Sequence, residues 1–196
     1  MNDEFAMRVL PHDDLNEIKD ACDVLASAQS FETSASGMEY NTHGLQANTL
    51  SSELMEHNGM CIVADASGVI VGTLSLMDDA KQRWYKKDAG HYQTIKYVGV
   101  APEWQGHGIA HRLVEFAINK SDGVVTASTD ERNVKAVRLY ESCGFRVMEY
   151  ARPRGAESNA VILAFWKNGC PPATFEINLH RIASKTKCLT KRILKI

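Results

Sequence analysis

Gln105-Gly106-His107-Gly108-Ile109-Ala110 is the stretch whose residue types and spacing could do chemistry. It stands between an apolar run ending at Val98-Gly99-Val100 and a segment in which Ile109, Leu113 and Phe116 recur at helical spacing. Glycines let the backbone come close to an anion and take positive φ where needed. The first N–H groups of the following helix point at the same place, and the helix dipole favours negative charge there. The pattern predicts a phosphate-binding turn with His107 and His111 in or beside it, although glycine spacing alone names no ligand. Gly99, interrupting the preceding run, marks a bulge or a close backbone approach. A strand broken there leaves N–H and C=O groups that could hold an extended ligand arm.

The elements that must position this turn can be read along the chain. Residues 5–10, closed by Pro11, predict an opening strand. Asp13 or Asp14 then caps a helix through Leu15, Ile18, Cys22 and Leu25. Residues 31–44, rich in Ser, Thr, Gly and Asn, read as a mobile loop, and 45–57 as a second helix ended by Asn58-Gly59. Residues 60–66 and 69–77 form a hairpin around Ser67-Gly68. Residues 78–90 carry Trp84, Tyr85, Lys81, Arg83, Lys86 and Lys87 without apolar periodicity, as a long surface connection would. The strand 91–100 leads into the turn and its helix, and a strand follows at 124–128. Asn133 caps a helix with Ala136, Leu139, Tyr140 and Cys143 on one face, ended by Gly144; strands at 145–150 and 160–167 complete the set. Strands alternating with helices, with hairpins at both ends, predict an α/β (α+β) sandwich around a mixed sheet.

The 196 residues, 44% hydrophobic and 23% charged, suit one folded unit with a core of ordinary size, taken as 1–170, and an extension at 171–196. A net charge of −2 argues against a whole-surface nucleic-acid platform. Cys22, Cys61, Cys143, Cys170 and Cys188 are odd in number and scattered, with no zinc spacing, so reduced thiols in a cytoplasm and no metal site are expected. The acidic N-terminal stretch lacks the features of a secretory signal, and no run reaches the roughly 18 apolar residues of a membrane span. Residues 180–196 hold Arg181, Lys185, Lys187, Lys191, Arg192 and Lys195 without an acid. Their apolar stripe of Ile182, Leu189, Ile193 and Ile196 predicts a docked terminal helix or a partly disordered end, the other reading being a segment that binds an anionic surface or nucleic acid.

Two segments together resemble the GNAT-type N-acetyltransferase superfamily. The first, Gln105 to Ala110, is similar to its Q/R-x-x-G-x-G/A acyl-CoA motif; the second, Asn133 to Phe145, is similar to its N-x-x-A-x-x-L-Y-x-x-x-G-F pattern. Their order, with a strand between, matters more than either alone, and the match is close over residues 92–150. The resemblance implies a mostly antiparallel central sheet of about six or seven strands flanked by helices. It also implies acetyl-CoA as co-substrate. Main-chain groups of Val98, Gly99 and Val100 would run along the pantetheine arm. Following Gln105, the N–H groups of Gly106, His107, Gly108, Ile109, Ala110 and His111 would meet the pyrophosphate. Asn133 would lie near the pantetheine or the helix of the catalytic tyrosine, and Tyr140 would face the thioester sulfur.

In that chemistry an amine attacks the thioester carbonyl, a negative oxygen develops, and the leaving thiolate must be protonated. A backbone N–H near Val98 to Val100 could serve the oxyanion. Tyr140, with an ordinary pKa near 10, suits a thiol of similar acidity as general acid. Relatives often carry a glutamate before the Asn where Ser128 stands, and serine cannot take the proton. His91 is the base candidate set beside Tyr140; Tyr92, Asp130, Glu131 and a water chain are the others. Asp130-Glu131 also reads as an acidic turn leading into a helix N-terminus. The expected activity is acetyl transfer from acetyl-CoA to a primary amine, whether protein N-terminus, lysine or small amine, by direct attack in a ternary complex. The other class is a non-catalytic acyl-CoA-binding or interaction module with its basic tail on an anionic partner. A homodimer is among the expected assemblies.

Overall fold

The computed structural model describes residues 4–36, 45–78, 91–152 and 158–167. Seven strands form one sheet: β1 (Ala6–Leu10), β2 (Met60–Ala66), β3 (Val69–Asp78), β4 (Tyr92–Val100), β5 (Val124–Asp130), β6 (Arg146–Ala151) and β7 (Ala160–Trp166). Their spatial order is β1-β2-β3-β4-β5-β7-β6. Four helices accompany them: α1 (Leu15–Ser36), α2 (Ala47–Glu56), α3 (Ile109–Lys120) and α4 (Val134–Ser142). Each strand pair is antiparallel except β4–β5, so the sheet is mixed and mostly antiparallel, as the motifs imply.

Local chemistry accounts for most boundaries. Asp14 Oδ1 accepts from the Glu17 N–H at 3.1 Å and caps α1, and Asn133 Oδ1 accepts from the Ala136 N–H at 3.1 Å and caps α4. The hairpin turn places Ser67 and Gly68 at φ 54° and 87°, positive at both central positions as a tight two-residue turn requires. One face of the sheet packs Ile62, Leu74, Leu76, Ile95, Val125 and Leu163 against Ile109, Leu113 and Val114 of α3. The other packs Cys61, Val63 and Met77 against Ile18 of α1 and Leu50 and Leu54 of α2.

Two expectations are adjusted. Helix α1 runs to Ser36, so 31–36 are helical and not loop. Ser and Thr disfavour helix interiors in isolation, but tertiary contacts override that preference: Glu32 is bound to Lys135 of α4 and Gln29 is buried. The break in β4 falls two residues earlier than Gly99. Thr73 pairs with Gly99 and Ser75 with Lys96, so Tyr97 and Val98 together oppose Leu74, and Tyr97 takes φ 54°. Gly99 serves the close approach instead: a Cβ there would sit 3.1 Å from Leu25 Cα and 3.3 Å from Ala28 Cβ of α1. Residues 37–44 of the expected loop, most of the 78–90 connection, and the basic tail at 180–196 with the 171–196 extension all lie outside the described residues, as do Cys170 and Cys188. Among the described residues no helix is long and apolar enough to cross a membrane.

Candidate active site

The parallel seam defines the site. β4 and β5 pair from Tyr92↔Val124 to Ile95↔Ala127 and no further, although β4 continues to Val100 and β5 to Asp130. Both strands keep their outer partners, β3 and β7, so the sheet opens into a wedge along Lys96–Val100 on one side and Ser128–Asp130 on the other. The bulge at Tyr97-Val98 lies on that open edge and turns the edge of β4 away from its neighbour. An extended arm entering the wedge would meet the main chain of Val98, Gly99 and Val100 where the β4–β5 ladder has ended.

The glycine turn stands directly after this edge. A 3₁₀ turn at Pro102–Trp104 carries the chain over, and Gln105 Nε2 donates back to the Val100 carbonyl at 3.4 Å. Gly106 and Gly108 take φ 85° and 77°, a region closed to most side chains, and a Cβ at either would meet nothing within 4 Å. The glycines are therefore needed for conformation, and the surface they front is open. The first bond into α3 runs from Arg112 N–H to Gly108 O at 3.1 Å, which leaves the Ile109, Ala110 and His111 amides without acceptors inside the helix. Ile109 is buried and anchors the helix start against β3, where its Cγ2 would be 2.7 Å from a Cβ at Gly72. His107 is exposed, with Nδ1 3.2 Å from the Trp104 and Gln105 carbonyls; His111 Nδ1 lies 3.4 Å from Glu115.

Across the wedge, β5 passes through exposed Ser128 to Asp130 and into α4. Tyr140 sits on the inner face of α4, 5% exposed, its ring 5.3 Å from that of Phe145. Burial, with Cys143 adding to it, raises its pKa well above the ordinary tyrosine value. The side chain is thus a core residue; its hydroxyl stays protonated through the neutral range and is a weaker acid than the ordinary value, matched to a thiol, implies. The Oδ1 of Asn133 is engaged in capping the same helix.

The geometry separates His91 from this group. His91 precedes Tyr92 at the far end of β4, roughly 20 Å of extended chain from Val98. Its Nδ1 lies 2.5 Å from Asp122 and its Nε2 3.0 Å from Asp78, and the Asp122 hydrogen bond leads the effects that raise its pKa. Two carboxylates favour the protonated form of His91, and its place at the far end of β4 sets it apart from Val98 to Val100. Tyr92 occupies the same distant end, and burial raises its pKa. Asp130 is gripped by Arg132 through its N–H, Nε and Nη2 and by the Ser158 hydroxyl, which hold it far below the usual carboxylate range. Glu131 accepts from Asn159 Nδ2 at 2.8 Å and from its N–H at 3.0 Å, and is also lowered. These two acids fasten the end of β5 to residues 158–159 and are not poised to take a proton.

Because His91 is favoured in its charged form when folded, it stabilises the protein fully below its unfolded pKa, near 6.5, and that stability is lost as pH rises through the raised folded value. His91→Gln is expected to lower Tm most at mildly acidic pH, with the difference closing above the raised pKa and kcat unchanged. Thermal melts across pH and an activity profile check both.

Reasoning on the sequence did not single out Tyr97, whose hydroxyl donates to Glu53 of α2 at 2.9 Å; burial, with Glu53 beside it, pushes its pKa up to about 12. Nor did it mark Gln29 and Glu32 of α1. An interruption of the apolar period by polar residues on the α1 stripe was the available signal.

A mixed sheet parted at a single parallel seam, with a glycine turn opening a helix beside the gap, defines an acyl-CoA-type transferase architecture. The chain belongs to the acetyltransferase (GNAT) family, whose model matches residues 23–145. Over 89 residues it is 33% identical to N-alpha-acetyltransferase 30 of Saccharomyces cerevisiae, a match covering 41% of this chain. The chain spans about half the length of that curated relative, 50%. Its fold is similar to that of a GNAT-family acetyltransferase from Streptococcus agalactiae, with TM-score 0.65, 12% identity, and 83% of this chain and 95% of the other covered. It is likewise similar to Arabidopsis thaliana NAA60 in complex with acetyl-CoA, with TM-score 0.57, 17% identity, and 84% and 99% covered.

Proposed function

We propose that the chain is an acetyl-CoA-dependent N-acetyltransferase that moves an acetyl group to a primary amine by direct attack in a ternary complex. The observation that carries this reading is the wedge beyond Ile95↔Ala127 with the Gly106–Gly108 turn at its edge. Acetyl-CoA would lay its pantetheine arm along Val98, Gly99 and Val100 and its pyrophosphate on the amides of Gly106 to His111, following Gln105. A β4 amide at the bulge would hold the developing oxyanion. Tyr140 would return a proton to the leaving thiolate, and Asn133 would hold the start of its helix in register. With His91 distant and Asp130 and Glu131 engaged elsewhere, a water chain would carry the amine's proton away. The relative's printed name, an N-alpha-acetyltransferase, supports a protein N-terminus among the amine classes. Free Cys22, Cys61 and Cys143 fit a cytoplasmic setting.

Release of free thiol from acetyl-CoA in the presence of peptides, lysine side chains and small amines tests the reading. Amine-dependent turnover is expected with at least one class. Acetyl-CoA binding without turnover of any amine would overturn it.

A further inference from the structure

Helix α1 carries a polar stripe that the acetyl-CoA half of the site does not use. Leu25, Ala28, Gln29, Glu32 and Thr33 follow the i, i+3, i+4, i+7, i+8 spacing of one helix face. Leu25 and Ala28 pack on Gly99, on the β4 side of the wedge. One turn further, Glu32 Oε1 accepts from Lys135 Nζ at 2.9 Å, and Lys135 lies in the first turn of α4, which follows β5. Since β4 and β5 have parted by then, these two contacts link the last turns of α1 to the Gly99 side of the wedge and to the start of α4.

Within those turns two acceptors lack a donor. Gln29 is 8% exposed, yet its buried Oε1 has no hydrogen-bond partner among the described residues, and the same holds for the buried Oγ1 of Thr33. Leaving such groups unpaired is costly, and most buried polar atoms find partners. A face that keeps two of them one helical turn apart, beside a carboxylate that already holds an ammonium, is arranged to receive N–H donors.

We infer that this stripe receives the acceptor, and that the acceptor is the α-amine end of a peptide; this rests on the acetyltransferase reading above. The Lys135 ammonium on Glu32 marks the place of the incoming amine, which displaces it. Gln29 Oε1 and Thr33 Oγ1 take further N–H groups of the ligand. Two acceptors a turn apart call for a ligand with several N–H groups along its length, as a peptide main chain has and a lysine side chain has not. A polyamine would bring several positive charges to a stripe whose one carboxylate, Glu32, takes a single ammonium from Lys135.

Three probes discriminate: a short lysine-free peptide with a free α-amine, the same peptide N-blocked and carrying one lysine, and spermidine. Each is titrated calorimetrically onto the full chain with coenzyme A present and then assayed as an acceptor. Gln29→Met and Thr33→Val keep shape and remove the acceptors. Each is expected to weaken binding of the free peptide, and raise its KM, about five- to ten-fold, with coenzyme A affinity unchanged. Tm should hold or rise, because an unpaired buried oxygen has gone, whereas a purely structural role would lower it. Peptide affinity within about two-fold of the parent in both acceptor variants overturns the inference. So does preference for spermidine or the N-blocked peptide, or failure to bind any probe. A parent that binds the free peptide with this pattern but turns over no amine removes the catalytic reading and leaves the binding assignment standing.

Discussion

Gly108→Glu is expected to abolish measurable acetyl-CoA binding while the protein remains folded. At φ 77° any L side chain is strained, at a cost of about 1–2 kcal/mol to stability. No steric clash adds to that, since a Cβ at Gly108 meets nothing within 4 Å. The loss of binding comes from charge: a carboxylate about 5 Å from a phosphate costs about 3 kcal/mol per unit charge at an effective dielectric of about 20. That corresponds to at least about 100-fold in affinity. Gly108→Ala separates the two effects. It should show the same loss of Tm and retain most of the binding, because it brings strain without charge. Calorimetric titration with acetyl-CoA and thermal melts of both variants check this. Binding that survives the glutamate would remove the pyrophosphate from this turn.

Tyr140→Phe is expected to lower kcat by about 10²- to 10³-fold with acetyl-CoA affinity unchanged, in the range of one general-acid contribution. The ring packs against Phe145 and within the core on that face of the sheet, and phenylalanine preserves both contacts. A fall in rate therefore cannot be assigned to repacking. Burial keeps the hydroxyl protonated, so Tyr140 should impose no alkaline loss of activity below the ordinary tyrosine value of about 10. With a peptide α-amine, rate should instead climb as the amine loses its proton near pH 8. Undiminished kcat in Tyr140→Phe would make the residue a core side chain and nothing more.

What the sequence disclosed was local. The positive φ at Gly106 and Gly108, the Asn133 cap and the Ser67-Gly68 turn are decided within a few residues, and each is where the pattern put it. The order of elements and the mixed, mostly antiparallel sheet follow from the same signals and the two linked motifs. What the sequence hid depends on which strands lie side by side. The bulge sits at Tyr97-Val98 because two residues there oppose Leu74, a count only the register supplies. His91 looked open to base chemistry because Asp122, 31 residues away, could not be seen beside it. The end of α1 read as loop because Ser and Thr discourage helix locally, while one contact made there, Glu32 to Lys135, spans 103 residues.

The seam also bears on how the two halves of the molecule communicate. The β1–β4 portion and the β5–β7 portion share four residue pairs, Tyr92↔Val124 to Ile95↔Ala127, and the chain crosses between them through α3. A parallel crossover closes late, after local hairpins, because its loop entropy must be met first. The sheet is thus two leaves on a short spine. A ligand lying along the open edge of β4 would act as page-filler and fastener at once, tying together leaves that the protein alone leaves partly unbound.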